Sequence, residues 1–196
     1  MHDLSSAFIL GYHGCDRSVA ERLLRGEPFI QSSNAYDWLG SGIYFWESNP
    51  QRGLDFAREL TARRRGRAKI THPAVVGAVI DLGVCLDLTT TAGVDRVRLA
   101  FSVLENIVTK AEPPRPLPEN NKDGLRRNLD CAVVNTLHDI LRQDGKPPFD
   151  TVKGIFIEGG AAYPGSGFQG KTHTQICVRN VRCIKGVFRV PKDHLS

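Results

Sequence analysis

Two glycine-broken apolar runs constrain this chain more than any other feature. One is Ala7 to Tyr12, running into His13-Gly14; the other is Gly40-Ser41-Gly42-Ile43-Tyr44-Phe45-Trp46, about thirty residues further on. β-Branched and aromatic residues favour an extended, half-buried backbone. A glycine beside them removes Cβ where a ligand or another backbone comes close. A third run, Lys171-Thr172-His173-Thr174-Gln175-Ile176-Cys177-Val178-Arg179, has the same strand-like character near the end of the chain. Any fold for this sequence must seat three strands that carry His13, Tyr44 and Gln175.

The remaining segments alternate in type without a regular beat. Asp16 or Ser18 offers an N-cap for a helix to about Arg25, with Val19, Leu23 and Leu24 as its apolar stripe and Gly26-Glu27-Pro28 as its stop. Phe29 to Gln31 reads as a short strand and Ser32 to Gly40 as a polar loop. Ser48-Asn49-Pro50 opens a second helix, which carries Leu54, Phe56, Ala57 and Leu60. Ala74 to Leu82 reads as a buried central strand, and Val94 to Ala111 and Leu129 to Leu141 as helices joined by Glu112 to Gly124. Val152 to Ile157, His173 to Arg179 and Ile184 to Val190 are late strands, the first two separated by a glycine-rich loop, Glu158 to Thr172. Short strands and helices without strict alternation indicate α+β rather than a doubly wound sheet. No GxGxxG opens a helix after a strand, which argues against a dinucleotide site of that type.

A length of 196 residues fits one domain, 1–196, with room for a core that needs no metal or disulfide. The longest apolar runs are far too short to span a membrane, and the N-terminus lacks the pattern of a signal peptide. The five cysteines, Cys15, Cys85, Cys131, Cys177 and Cys183, show no CxxC spacing. They read as reduced thiols in a cytoplasmic protein, with no metal site. The net charge is +5, and Arg58, Arg63, Arg64, Arg65, Arg67 and Lys69 concentrate the excess. That run reads either as a solvated helix end or as a footprint for a polyanion. It carries no interleaved aromatics for base stacking.

Taken singly, His13, Tyr44 and Gln175 each have an ordinary structural reading. Taken in order, His-Gly at a strand end, Gly-x-Gly-Ile-Tyr-Phe before a helix and a polar residue opening a late strand resemble the ADP-ribosyltransferases of the diphtheria toxin and poly(ADP-ribose) polymerase type. The resemblance implies a split β-sheet with flanking helices and a cleft for NAD, with no metal. It implies that His13 hydrogen-bonds the adenosine ribose, Gly14 clamps the nicotinamide carboxamide through its backbone, and Tyr44 stacks on the nicotinamide ring. Phe56 matches the place of a second stacking aromatic, or is simply core. Ser32 and Asn34 fall where the ribose pocket would be lined.

The resemblance breaks at one position. The strand-opening residue of that family is usually glutamate, and here it is Gln175, which holds no negative charge and accepts no proton at neutral pH. Three readings stay open: Gln175 suffices, Glu158 supplies the carboxylate, or the protein binds NAD without transferring ADP-ribose. His173 lies on the same strand face as Gln175 and is a candidate proton shuttle. The resemblance implies transfer of ADP-ribose from NAD to a macromolecular acceptor, and the basic stretch favours nucleic acid (RNA or DNA) over protein as that acceptor. It implies a bacterial toxin or anti-phage effector held by an antitoxin. A binding module for NAD or ADP-ribose, an NAD glycohydrolase and a 2′-phosphotransferase are the competing readings.

Overall fold

The computed structural model describes residues 8–62 and 70–195. The expected basic run, Arg58 to Lys69, lies outside the described residues from Arg63 onward, as does Ala7, the first residue of the expected opening strand. The described strands are β1 (Phe8–Asp16), β2 (Ile43–Glu47), β3 (Pro73–Asp81), β4 (Cys85–Asp87), β5 (Thr151–Phe156), β6 (His173–Val178) and β7 (Ile184–Arg189). The helices are α1 (Arg17–Leu24), α2 (Pro50–Ala62), α3 (Thr91–Thr109) and α4 (Asn128–Gln143). All seven strands join one mixed sheet in the order β4-β5-β6-β2-β1-β3-β7. Only β4 and β5 run parallel, and α3 and α4 make the long crossover between them.

Local chemistry explains most boundaries. Asp16 caps α1 by accepting from the Ser18 amide at 2.9 Å, and its other oxygen accepts from the Thr71 and His72 amides, so one carboxylate ties the helix start to the entry of β3. Asn49 Oδ1 accepts from the Arg52 amide at the start of α2. Thr90 caps α3 through the Gly93 amide, and the helix begins at Thr91, three residues ahead of the expected start at Val94. Phe29 to Gln31 forms no strand; the backbone pairs with the sheet just beyond it, through a bridge between Ser32 and Gly42, and Phe29 packs on the sheet by its ring. β4 was not expected, being three residues long and invisible to periodicity.

Register divides the side chains between two faces. Tyr12 opposes Trp46, Trp46 opposes Gln175, and Gln175 opposes Gly154, so these four share one face. Tyr44, His173 and Phe156 join them by the period of two. The α2 residue Leu54 packs on this face against Tyr12, Val75 and Val190. The α3 and α4 residues Ala100, Leu104, Val133, Val134 and Leu137 pack on it against Leu86, Val152 and Cys177. The opposite face carries Ile43, Phe45, Ala78, Ile80, Ile176 and Val178, and α1 covers its β3 side with Ala20 and Leu23. Between α2 and α4 the first face is left to aromatic and polar side chains.

Candidate functional site

The sheet brings the three motif-bearing strands side by side, β6-β2-β1, but it does not bring their side chains to one point. Gln175, His173 and Tyr44 share the α2/α4 face, while His13 projects to the other. There His13 stands 5.4 Å from the Phe29 ring and 5.7 Å from the Phe45 ring, and its Nδ1 donates to the Tyr44 carbonyl at 2.9 Å. Burial holds its pKa below the ordinary value, so the ring is neutral at pH 7.

Gly14 makes the close approach expected of it, but toward the protein itself. A Cβ there would collide with the Gly53 carbonyl oxygen of α2, so the missing side chain lets helix and strand meet. Tyr44 is packed against the cluster of Leu39, Leu86 and Cys177, and its hydroxyl donates to the Gly40 carbonyl at 2.8 Å while accepting the Leu39 amide at 2.9 Å. Both bonds hold the turn before β2, where Gly40 has φ +80°. Ser32 is likewise used locally: its hydroxyl donates to Asp37 at 2.7 Å and accepts from Asn34. Phe56 packs on Trp46 with ring centroids 4.9 Å apart.

The polar groups that do converge lie between α2 and the start of β6. Arg52 is buried and pairs with Glu158, its Nε donating to Oε1 at 2.9 Å; its guanidinium also stands over the Trp46 ring at 5.9 Å. Glu59 lies 3.6 Å from Arg52 Nη1 and accepts from Lys171 Nζ at 2.8 Å. His173 is 6% exposed and stacks on Phe156, with centroids 5.6 Å apart. Its Nδ1 meets the Lys171 carbonyl at 2.6 Å and lies 3.9 Å from Glu158 Oε1. A carbonyl only accepts, so Nδ1 carries the hydrogen and Nε2 is the bare nitrogen. Burial lowers the His173 pKa and keeps Nε2 unprotonated at neutral pH. Nε2 of His173, Nε1 of Trp46 and Nη1 of Arg52 are all buried without a hydrogen-bond partner. Arg52 Nη1 still faces Glu59 as an ion pair, but buried polar atoms are seldom left unpaired, so His173 Nε2 and Trp46 Nε1 mark a spot suited to a polar guest.

Gln175 sits beside this cluster and is tied to a residue that the sequence pattern did not single out. Trp38 Nε1 donates to Gln175 Oε1 at 2.6 Å. The indole lies 5.3 Å from the Phe156 ring, and the Arg127 guanidinium stacks over both, 5.0 Å from Trp38 and 4.3 Å from Phe156. Beyond Trp38, between α3 and α4, opens a cavity of about 520 Å³ lined by Trp38, Val97, Phe101, Arg127, Leu129 and Val133 among others. That volume is in the range of small-molecule sites. Trp38 was legible only as a large aromatic stranded in a polar loop; Arg52 and Arg127 gave no local signal, because their partners are far away in sequence.

From Gly159 to Lys171 the loop between β5 and β6 carries no acidic residue, and its Tyr163 and Phe168 rings are 57% and 73% exposed. Among the described residues no group of His, Cys, Asp and Glu is arranged to hold a metal ion. Among the described residues no helix is long and apolar enough to cross a membrane.

No known family profile matches the chain. A protein of Methanocaldococcus jannaschii described only as uncharacterized is 44% identical over 36 residues, which is 18% of this chain and 17% of that protein. No solved structure matches.

Proposed function

We propose that the chain is an NAD-dependent ADP-ribosyltransferase whose nicotinamide–ribose end is handled on the α2/α4 face. The observation that carries this reading is the convergence of Gln175, His173, Glu158, Trp46 and Phe56 between α2 and β6, with the buried His173 Nε2 and Trp46 Nε1 unpartnered there. The adjacency of β6, β2 and β1 fits the order of the family resemblance. In this reading the bond between ribose C1′ and the nicotinamide nitrogen breaks and its electron pair leaves with nicotinamide. The acceptor's nucleophile bonds to C1′ and its proton passes to His173 Nε2, the bare imidazole nitrogen. Phe56, part-exposed and backed by the buried Trp46, supplies an aromatic face for a cationic ring. His13 serves from the far face, holding the β2 backbone through the Tyr44 carbonyl.

The acceptor class fits nucleic acid better than protein: two exposed aromatic rings on an acid-free loop suit stacking of bases, and the chain is net positive. A second reading, binding of NAD without transfer, draws on one specific observation. Glu158 is occupied by Arg52, so neither it nor Gln175 stands as a free carboxylate.

The test incubates the protein with labelled NAD and a lysate, separates nucleic acid from protein, and runs Gln175→Ala in parallel. Label in one fraction that weakens in the variant supports transfer. NAD bound by calorimetry with no label and no nicotinamide release would support the binding module instead.

A further inference from the structure

A tryptophan indole N–H can only donate, so the group it meets at 2.6 Å on Gln175 must be the amide oxygen. This fixes the orientation of an amide whose two ends would otherwise be interchangeable. The oxygen end of Gln175 is turned into the loop that carries Trp38, and Nε2 makes no hydrogen bond among the described residues. The indole itself has little freedom. It lies against Gly154, where a Cβ would stand 2.7 Å from Trp38 Cη2, and Arg127 covers it from above at 5.0 Å.

We infer that Trp38 is a positioning residue which locks Gln175 with its NH₂ group toward the ligand, so that Gln175 recognises a hydrogen-bond acceptor and not a proton-bearing group. This rests on the reading of the α2/α4 face as an NAD site. A carboxylate at this position would offer only acceptors to a ribose hydroxyl and a negative charge to a developing sugar cation. The locked amide offers the reverse: donors to a lone pair on the ribose or on the carboxamide carbonyl, and no charge. Ground-state binding is then supported and charge development is not, which makes Gln175 a binding residue with a brake on bond cleavage.

Three substitutions test the lock. Gln175→Leu removes the acceptor from the indole; Gly154→Ala pushes the indole while leaving both polar partners intact; Gln175→Glu keeps the acceptor for Trp38 with one oxygen and turns the other to the ligand. The ligand-free readout is the Trp38 indole N–H in ¹⁵N-labelled full-length protein, resolved from the only other tryptophan, Trp46. The Trp38 signal is expected to move upfield and exchange about tenfold faster in Gln175→Leu, the loss of one hydrogen bond, with the Trp46 signal unmoved. A Trp38 signal indifferent to Gln175→Leu overturns the lock whatever NAD does. With NAD, Gly154→Ala is expected to weaken binding about tenfold, and Gln175→Glu to raise nicotinamide release at least about tenfold with little change in affinity. If Gln175→Glu lowers release, or Gly154→Ala folds normally and binds NAD as the parent does, Gln175 is not held in this way. If the indole responds as expected but NAD binds to none of the proteins, the lock stands and the NAD reading falls.

Discussion

Burial suppresses the charge of three histidines in this molecule. His138 is fully buried in α4, with Nδ1 at 2.8 Å from the Val134 carbonyl, and burial takes its pKa down to about 4. His13 and His173 are lowered by the same cause. Each is neutral when folded and titrates near 6.5 when unfolded. The unfolded chain therefore binds more protons, and the stability these groups contribute is complete above about pH 6.5 and declines on acidification toward pH 4. His138 alone accounts for about 3 kcal/mol across that window, at roughly 1.4 kcal/mol per pKa unit. Urea unfolding at pH 7.5 and pH 5 should show a marked loss at the lower pH, and a smaller one in His138→Leu; equal stability at both would contradict the burial argument. At Gly14 the expectation concerns volume. Gly14→Ala drives a methyl into the Gly53 carbonyl and should cost about 1–3 kcal/mol by the same assay, since α2 must shift.

Elements are tied together by few long-range polar contacts, and the Arg52 cluster is the main one on the α2 side. It joins the first turn of α2 to the end of β5 and, through Glu59 and Lys171, to the start of β6. Glu158→Ala leaves the buried Arg52 charge with Glu59 alone among the described carboxylates, at 3.6 Å, and should destabilise by about 3–5 kcal/mol. Arg52→Leu combined with Glu158→Leu should recover most of that loss, and a double-mutant cycle on thermal unfolding measures it. If the single and double variants melt alike, the pair is not the tie. This scale also shows what could be read from the chain beforehand. The cap at Asp16, the Asn49-Pro50 helix start and the long period-3.6 stretches of α3 and α4 are local signals, and they placed those helices within a few residues. β4 is too short to have a period. Phe29 to Gln31 looks extended because Phe29 and Ile30 are apolar, but Phe29 is spent on packing the His13 and Phe45 rings, and among the described residues no strand pairs with the segment.

At the scale of the whole molecule, sequence order says little about which side chains meet. The alternation within β1 puts His13 and Gly14 on opposite faces, so a motif read as one unit is divided between two sides of the sheet. Trp38 and Gln175 are 137 positions apart, and nothing local in either segment announces their bond. What was legible was six of the seven described strands and that β1, β2 and β6 carry unusual polar residues; the side to which each projects came only with the register. Ligand linkage tests the whole arrangement at once. At a concentration 100 times its dissociation constant, NAD should raise unfolding free energy by about 2.7 kcal/mol, seen as an upward shift of the melting temperature; no shift with NAD at millimolar concentration would count against the site.

The ends of the sheet have their own consequence. On one side it finishes in β4, a three-residue strand, and on the other in β7, which carries Lys185 and Arg189 and whose pairing with β3 slips at Val79 and Ile80. Neither margin presents a long, flat, uncharged row of free amides and carbonyls to a neighbour. A second molecule has no straight template on which to lay a strand, so concentrated solutions should resist growth into sheet-extended fibres.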